Sequence, residues 1–167
     1  MSRGELTGER LPVDPDRADL HRDTGDRRQR GRRHVVLAIG LAGAAGALAR
    51  YGLTVLVASP ATGFPWNIFL VNLTGSFALG LVLVLVEARL PSSPLVRPIV
   101  ATGFLGAYTT FSTYAAGADE LVRDHEVALF VSYSLGSLFA GLLAVGAGVL
   151  GGRLLVRRLG PFGRSRP

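Results

Sequence analysis

Residues 103–114 read GFLGAYTTFSTY. The stretch lies inside an apolar run long enough to cross a membrane, yet it sets glycines at 103 and 106 and hydroxyls at 109, 110, 112 and 113 in the middle of that run. Glycine loosens the backbone, and Ser and Thr side chains compete for backbone hydrogen bonds, so the spacing predicts that a helix unwinds here. Unwound backbone at membrane depth is tolerated only where protein or a water-filled path satisfies it. The stretch therefore predicts a broken helix at a functional centre.

The rest of the chain supplies the membrane context. Of its 167 residues 49% are hydrophobic and none is cysteine, which removes disulfide frameworks and thiolate metal sites. A net charge of +6 would, in a soluble protein, suggest a nucleic-acid partner. The distribution argues against one. All eighteen basic residues are Arg, and sixteen of them fall in three groups: nine in residues 1–33, Arg89 with Arg97, and five from Arg153 onward. Long uncharged runs separate these groups, as in a membrane protein with cytoplasmic positive charge.

Three regions follow. Residues 1–33, with nine Arg and seven acids, read as a disordered charged tail whose end, RRQRGRRH, would touch anionic lipid. Residues 34–153 form a transmembrane domain of four helices, with spans at about 35–57, 66–86, 95–118 and 128–150. Residues 154–167 make a basic C-terminal tail. The first span is 23 residues, about 34 Å as a helix. A signal peptide, suggested by Ala47-Leu48-Ala49, competes poorly because the apolar run continues past Arg50. Gly40, Gly43 and Gly46 suit close helix packing, as does the stripe Ala140, Ala144, Gly148, Gly152 in the fourth span. On the second span Asn72, Gly75, Ser76 and Gly80 form one small, polar face. Four spans put both termini on one side. Sixteen arginines lie on that side against Arg123 on the other, which predicts cytoplasmic N and C termini in a bacterial plasma membrane.

Nothing in the chain has the layout of an enzyme. His21, His34 and His125 form no metal-ligand pair, and the only acid near a span, Glu87, sits at its end. The polar residues within the spans include Arg50, Asn72, Thr109, Thr110, Tyr133, Ser134 and Ser137. With no acid among them, the interior suits an anion better than a cation. For Arg50 the competing use is snorkelling to the interface, and for Asn72 a plain interhelical hydrogen bond.

GLAGAAGALARY (40–51), VNLTGSFALG (71–80) and TGFLGAYTTFSTY (102–114), on a four-span layout, resemble the fluoride channel family (Fluc, also called CrcB) over about residues 36–152. The resemblance implies an all-α membrane protein with a broken third helix, assembled as an antiparallel, dual-topology-type dimer. It implies a structural sodium ion at the dimer centre, held by backbone carbonyls of Gly106 and Thr109. It also implies an anion pathway formed by Asn72, Thr110, Phe111, Tyr114 and Ser137, together with Tyr133, at a fourth-span position that is polar in relatives, and Arg50, which matches a first-span arginine of the family. The chain departs from the family pattern at Ala107, Tyr114, Gly117 and Gly141, where relatives have glycine, phenylalanine, an acid and a hydroxyl.

The expected function is passive export of cytoplasmic fluoride, which lowers fluoride toxicity. The strong arginine bias favours a heterodimer with an oppositely oriented homologue over a homodimer, because a homodimer of this kind needs one sequence to insert both ways. Two alternatives are a non-conducting structural subunit of such a pair and a small four-helix multidrug or cation exchanger. The exchanger would need an intramembrane carboxylate that no span has away from its end.

Overall fold

The fold is described from a computed structural model, which describes residues 15–60, 63–90 and 95–159, with side chains from residue 33 onward. Every described element is helical: α1 (Pro15–Leu56), α2 (Trp66–Arg89), a π-helical segment (Pro98–Leu105) that passes into a single turn α3 (Gly106–Tyr108), then α4 (Phe111–Arg123) and α5 (Val127–Leu159). Three stretches are long and apolar enough to cross a membrane as unbroken helices: Arg33–Leu56, Trp66–Arg89 and Val127–Leu159. The remaining expected span, 95–118, is not one helix. It is interrupted at Thr109 and Thr110, inside the stretch whose glycines and hydroxyls predict the break.

The chain divides into two units, residues 1–34 and 35–167. In the first, the described backbone is helical from Pro15, within the stretch assigned above to a disordered tail. Proline is accepted at the first helical position because its missing N–H has no partner there in any case. Residues 1–14 of that tail, and 160–167 of the basic C-terminal tail, lie outside the described residues.

In the second unit the most extensive pairing is α2 with α5. It is close because small residues let the backbones meet: a Cβ on Gly80 would fall on the Val145 carbonyl, and one on Gly148 on the Phe77 carbonyl. This is how helices associate where lipid gives no hydrophobic drive between them. The predicted stripe on the fourth span is thus used against α2. On the other flank, α1 packs on the π-helical segment, where a Cβ on Gly46 would fall on the Phe104 carbonyl and one on Gly103 would come within 2.8 Å of the Ile39 carbonyl. Gly40, grouped with Gly43 and Gly46 in the sequence, has open space instead.

The core is small: Ile68, Val71, Leu105, Leu121 and Tyr133 are its buried apolar side chains. Leu41, Leu48, Leu142 and Leu143 point outward. That inversion is what a bilayer solvates and water does not.

A polar groove at the helix break

The break is built by two extended residues. Thr109 closes α3 with a last bond from its N–H to the Leu105 carbonyl (3.0 Å) and then turns to φ −76°, ψ 158°; Thr110 follows at φ −147°, ψ 121°. Two consecutive extended residues strip backbone groups of their helical partners, and buried groups must find others. Asn72, on α2, supplies two of them. Its Oδ1 accepts from the Thr110 N–H (2.9 Å) while its Nδ2 donates to the Thr110 carbonyl (3.0 Å), so one amide side chain satisfies both backbone groups of the residue it faces.

Thr110 is also the N-cap of α4. Its Oγ1 accepts from the Thr113 N–H at 3.2 Å, and the same hydroxyl lies 3.0 Å from the Thr113 hydroxyl and 3.2 Å from that of Ser112. Threonine is a good residue for this, since its oxygen reaches a first-turn N–H that otherwise has no acceptor. The positive end of α4 therefore opens where the chain unwinds.

Both diversions have a second effect. In an unbroken helix the Thr110 N–H would bond the Gly106 carbonyl, and the Thr113 N–H would bond the Thr109 carbonyl. Both donors are engaged elsewhere. The carbonyls of Gly106 and Thr109, the two predicted from the resemblance to hold a cation, thus lose their helical partners by the same break.

Around it lies a groove of about 440 Å³ lined by Asn72, Gly75, Ser76, Gly106, Thr109, Thr110, Phe111, Tyr114 and Ser137, with Leu79, Ala101, Leu105 and Leu138 as its apolar wall. Its lining contains no carboxylate. Phe111 is 80% exposed, so in the single chain its ring has little cover. It tilts against Tyr114 at 5.7 Å between centroids, and Tyr114 in turn against Tyr133 at 5.2 Å. Tyr114 anchors its hydroxyl on the Ser134 carbonyl (3.2 Å), which leaves the ring free to wall the groove. Of the predicted pathway residues, then, Asn72, Thr110, Phe111, Tyr114 and Ser137 come together.

Tyr133 and Arg50 stand differently. Tyr133 is fully buried behind the groove, edge-on to Phe64, and its hydroxyl has no hydrogen-bond partner among the described residues; neither has the buried Ser137 hydroxyl one turn along α5. Buried hydroxyls without partners are rare and costly; Ser137 lines the groove, whereas Tyr133 does not. Arg50 is half-buried on α1 and does not line the groove. Gly117 meets the Tyr133 hydroxyl: a Cβ there would come within 3.5 Å of that oxygen and 3.2 Å of Pro65. Gly141 faces the Ser76 hydroxyl at 3.6 Å from its would-be Cβ.

Sequence reasoning missed one contact. Tyr108, the last residue before the break, lies 2.8 Å by its hydroxyl from that of Thr74 on α2. No sequence signal pointed to it, because a tyrosine in an apolar run reads as packing and its partner lies 34 positions away.

Long apolar helices and a further expected span interrupted at Thr109 and Thr110 define a multi-pass α-helical membrane protein. The profile of the CrcB-like protein, Camphor Resistance (CrcB), family matches residues 37–149, and the chain belongs to that family. It is 44% identical over 115 residues to Fluoride-specific ion channel FluC 2 of Geobacillus kaustophilus, covering 68% of this chain and 89% of the relative. Against Fluoride-specific ion channel FluC of Nitratidesulfovibrio vulgaris it is 41% identical over 121 residues, 72% of this chain and 98% of the relative. A third relative, Fluoride-specific ion channel FluC 3 of Streptomyces avermitilis, is 42% identical over 131 residues, 78% of this chain but 64% of the relative's length.

Proposed function

We propose that this chain is a subunit of a fluoride-selective channel that passively exports fluoride from the cytoplasm. Membership of a family whose relatives carry that name supports the substrate. The observation that carries the chemistry is the buried, unpartnered Ser137 hydroxyl on the lining of a groove free of carboxylates, with the Tyr133 hydroxyl, also unpartnered, buried behind it. Donors without acceptors are what a small, strongly hydrated anion needs in place of its water. The edges of Phe111 and Tyr114, which carry the positive part of the ring quadrupole, and the N-terminus of α4 add to them. Asn72 keeps the groove open by holding Thr110. An inside-negative potential then drives the anion out, at about 2.3 kcal/mol per elementary charge per 100 mV, and no chemical energy source is needed.

The carbonyls of Gly106 and Thr109 hold a sodium ion: they are hard oxygen donors freed from the helix by the diverted N–H groups, which fits a hard cation. Two carbonyls fall short of the roughly six oxygens such an ion takes, so a second subunit supplies more. That subunit also covers Phe111, and it lies antiparallel to this one. Finally, the sixteen-to-one arginine bias fixes this chain with both termini in the cytoplasm, so its partner is a homologue of opposite orientation and the assembly is a heterodimer.

The test is fluoride efflux from liposomes, read with a fluoride electrode. Vesicles holding this chain with its oppositely oriented homologue should release fluoride and retain chloride, and should stop when sodium is replaced by a large organic cation. Release of both anions alike would overturn the selectivity, and release indifferent to sodium would overturn the cation site.

A further inference from the structure

The groove is held from α2 at more than one point. Asn72 grips Thr110 just after the break, and Gly75 lies so close to it that a Cβ there would fall on Thr109 Cγ2 and within 3.0 Å of the Tyr108 ring. Between these two positions Thr74 turns its hydroxyl to Tyr108 at 2.8 Å. The direction of that bond follows from proton count. Thr74 has one hydroxyl hydrogen, and it is given back to the Leu70 carbonyl at 2.6 Å, shared with that of Val71 at 3.2 Å. Its remaining lone pair accepts, so the Tyr108 phenol is the donor. The ring itself stacks on Phe104, one turn back, at 6.2 Å between centroids and 7° between planes.

Tyr108 is the last helical residue before the chain extends, so its side chain is the last point at which the upstream half can be fixed. The bond lies at the surface of the subunit, but at bilayer depth no water competes for either hydroxyl. We propose that Tyr108 is a positioning residue: its phenol, tethered to Thr74, fixes the backbone on the upstream side of the break as Asn72 fixes the downstream side, so the carbonyls and N–H groups at 106–110 keep one orientation. The inference goes beyond the proposed channel function and rests on it only for its flux readout.

Two readouts separate the inference from that function. The first is amide hydrogen exchange on the full-length chain in lipid nanodiscs, which needs no transport. Tyr108→Phe, which removes only the oxygen, and Thr74→Val should each speed exchange at residues 109–111 about three- to tenfold, as loss of one interhelical hydrogen bond in a membrane does. The double variant should exchange no faster than either single one, and Thr74→Ser, which keeps the hydroxyl, should match the parent. Exchange along α2 and α5 should not change. Additive effects, no effect of Tyr108→Phe, or faster exchange spread over α2 and α5 would each overturn the inference. The second readout is fluoride efflux, expected to fall in the same two variants and to recover in Thr74→Ser. If the parent assembly itself passes no fluoride, the channel reading fails while the exchange result still decides the role of Tyr108.

Discussion

At the scale of single residues, the site depends on which backbone groups a side chain can replace. Asn72 is matched to Thr110 because an amide carries a donor and an acceptor side by side, as the residue's backbone does. Asn72→Ala should therefore leave the Thr110 N–H and carbonyl unsatisfied, destabilise the fold by about 1–3 kcal/mol and suppress fluoride efflux, read as a thermal melt in detergent and as electrode traces. Asn72→Asp should be nearly as harmful to flux, since a carboxylate oxygen would face the Thr110 carbonyl where an N–H now points. Phe111 contributes differently: at 80% exposure it does little for the subunit's own packing. Phe111→Ile should keep the assembly intact by size-exclusion chromatography and lower efflux about tenfold, in keeping with the roughly 0.5–1.5 kcal/mol that ring-edge contacts are worth. Unchanged flux would remove Phe111 from the path.

At the scale of elements, close approach sets what can be changed. Gly46 touches the Phe104 carbonyl and Gly148 the Phe77 carbonyl, whereas Gly40 and Gly146 face open space. Alanine at 46 or 148 should cost about 1–3 kcal/mol by overpacking; alanine at 40 or 146 should be neutral or slightly stabilising, as the unfolded chain loses freedom. Melting curves of the four variants check this, and equal losses at all four would mean that helix contacts do not govern the difference. The same contrast marks how far the sequence could be read. The break at Thr109 and Thr110 was legible because glycine and hydroxyl residues in an apolar run have few other uses, and α2 and α5 were legible from apolar length. Which of three evenly spaced glycines packs was not legible, since that depends on how α1 rotates against the broken helix. The tether of Tyr108 was hidden for a similar reason: a hydrogen bond across 34 positions leaves no local pattern.

At the scale of the whole molecule, the proposed heterodimer rests on charge. Nine arginines before the first span, two between the second and third and five beyond the fourth oppose Arg123, which is itself paired with Asp119 at 2.7 Å. The chain has no cysteine, so a single introduced one reports its side of the membrane without background. In intact cells Asp124→Cys should react with an impermeant maleimide, and Arg157→Cys should react only after lysis. Labelling of both from outside would mean that the chain inserts both ways and that the bias is overridden. If the bias holds, two copies of this chain cannot lie antiparallel, Phe111 stays uncovered and the carbonyls of Gly106 and Thr109 lack their complement. Liposomes containing this protein alone should then pass little fluoride, and adding a homologue of reversed arginine bias should restore efflux. Robust efflux from the single protein would sink the heterodimer, because it would require a population of inverted copies that sixteen arginines on one side oppose.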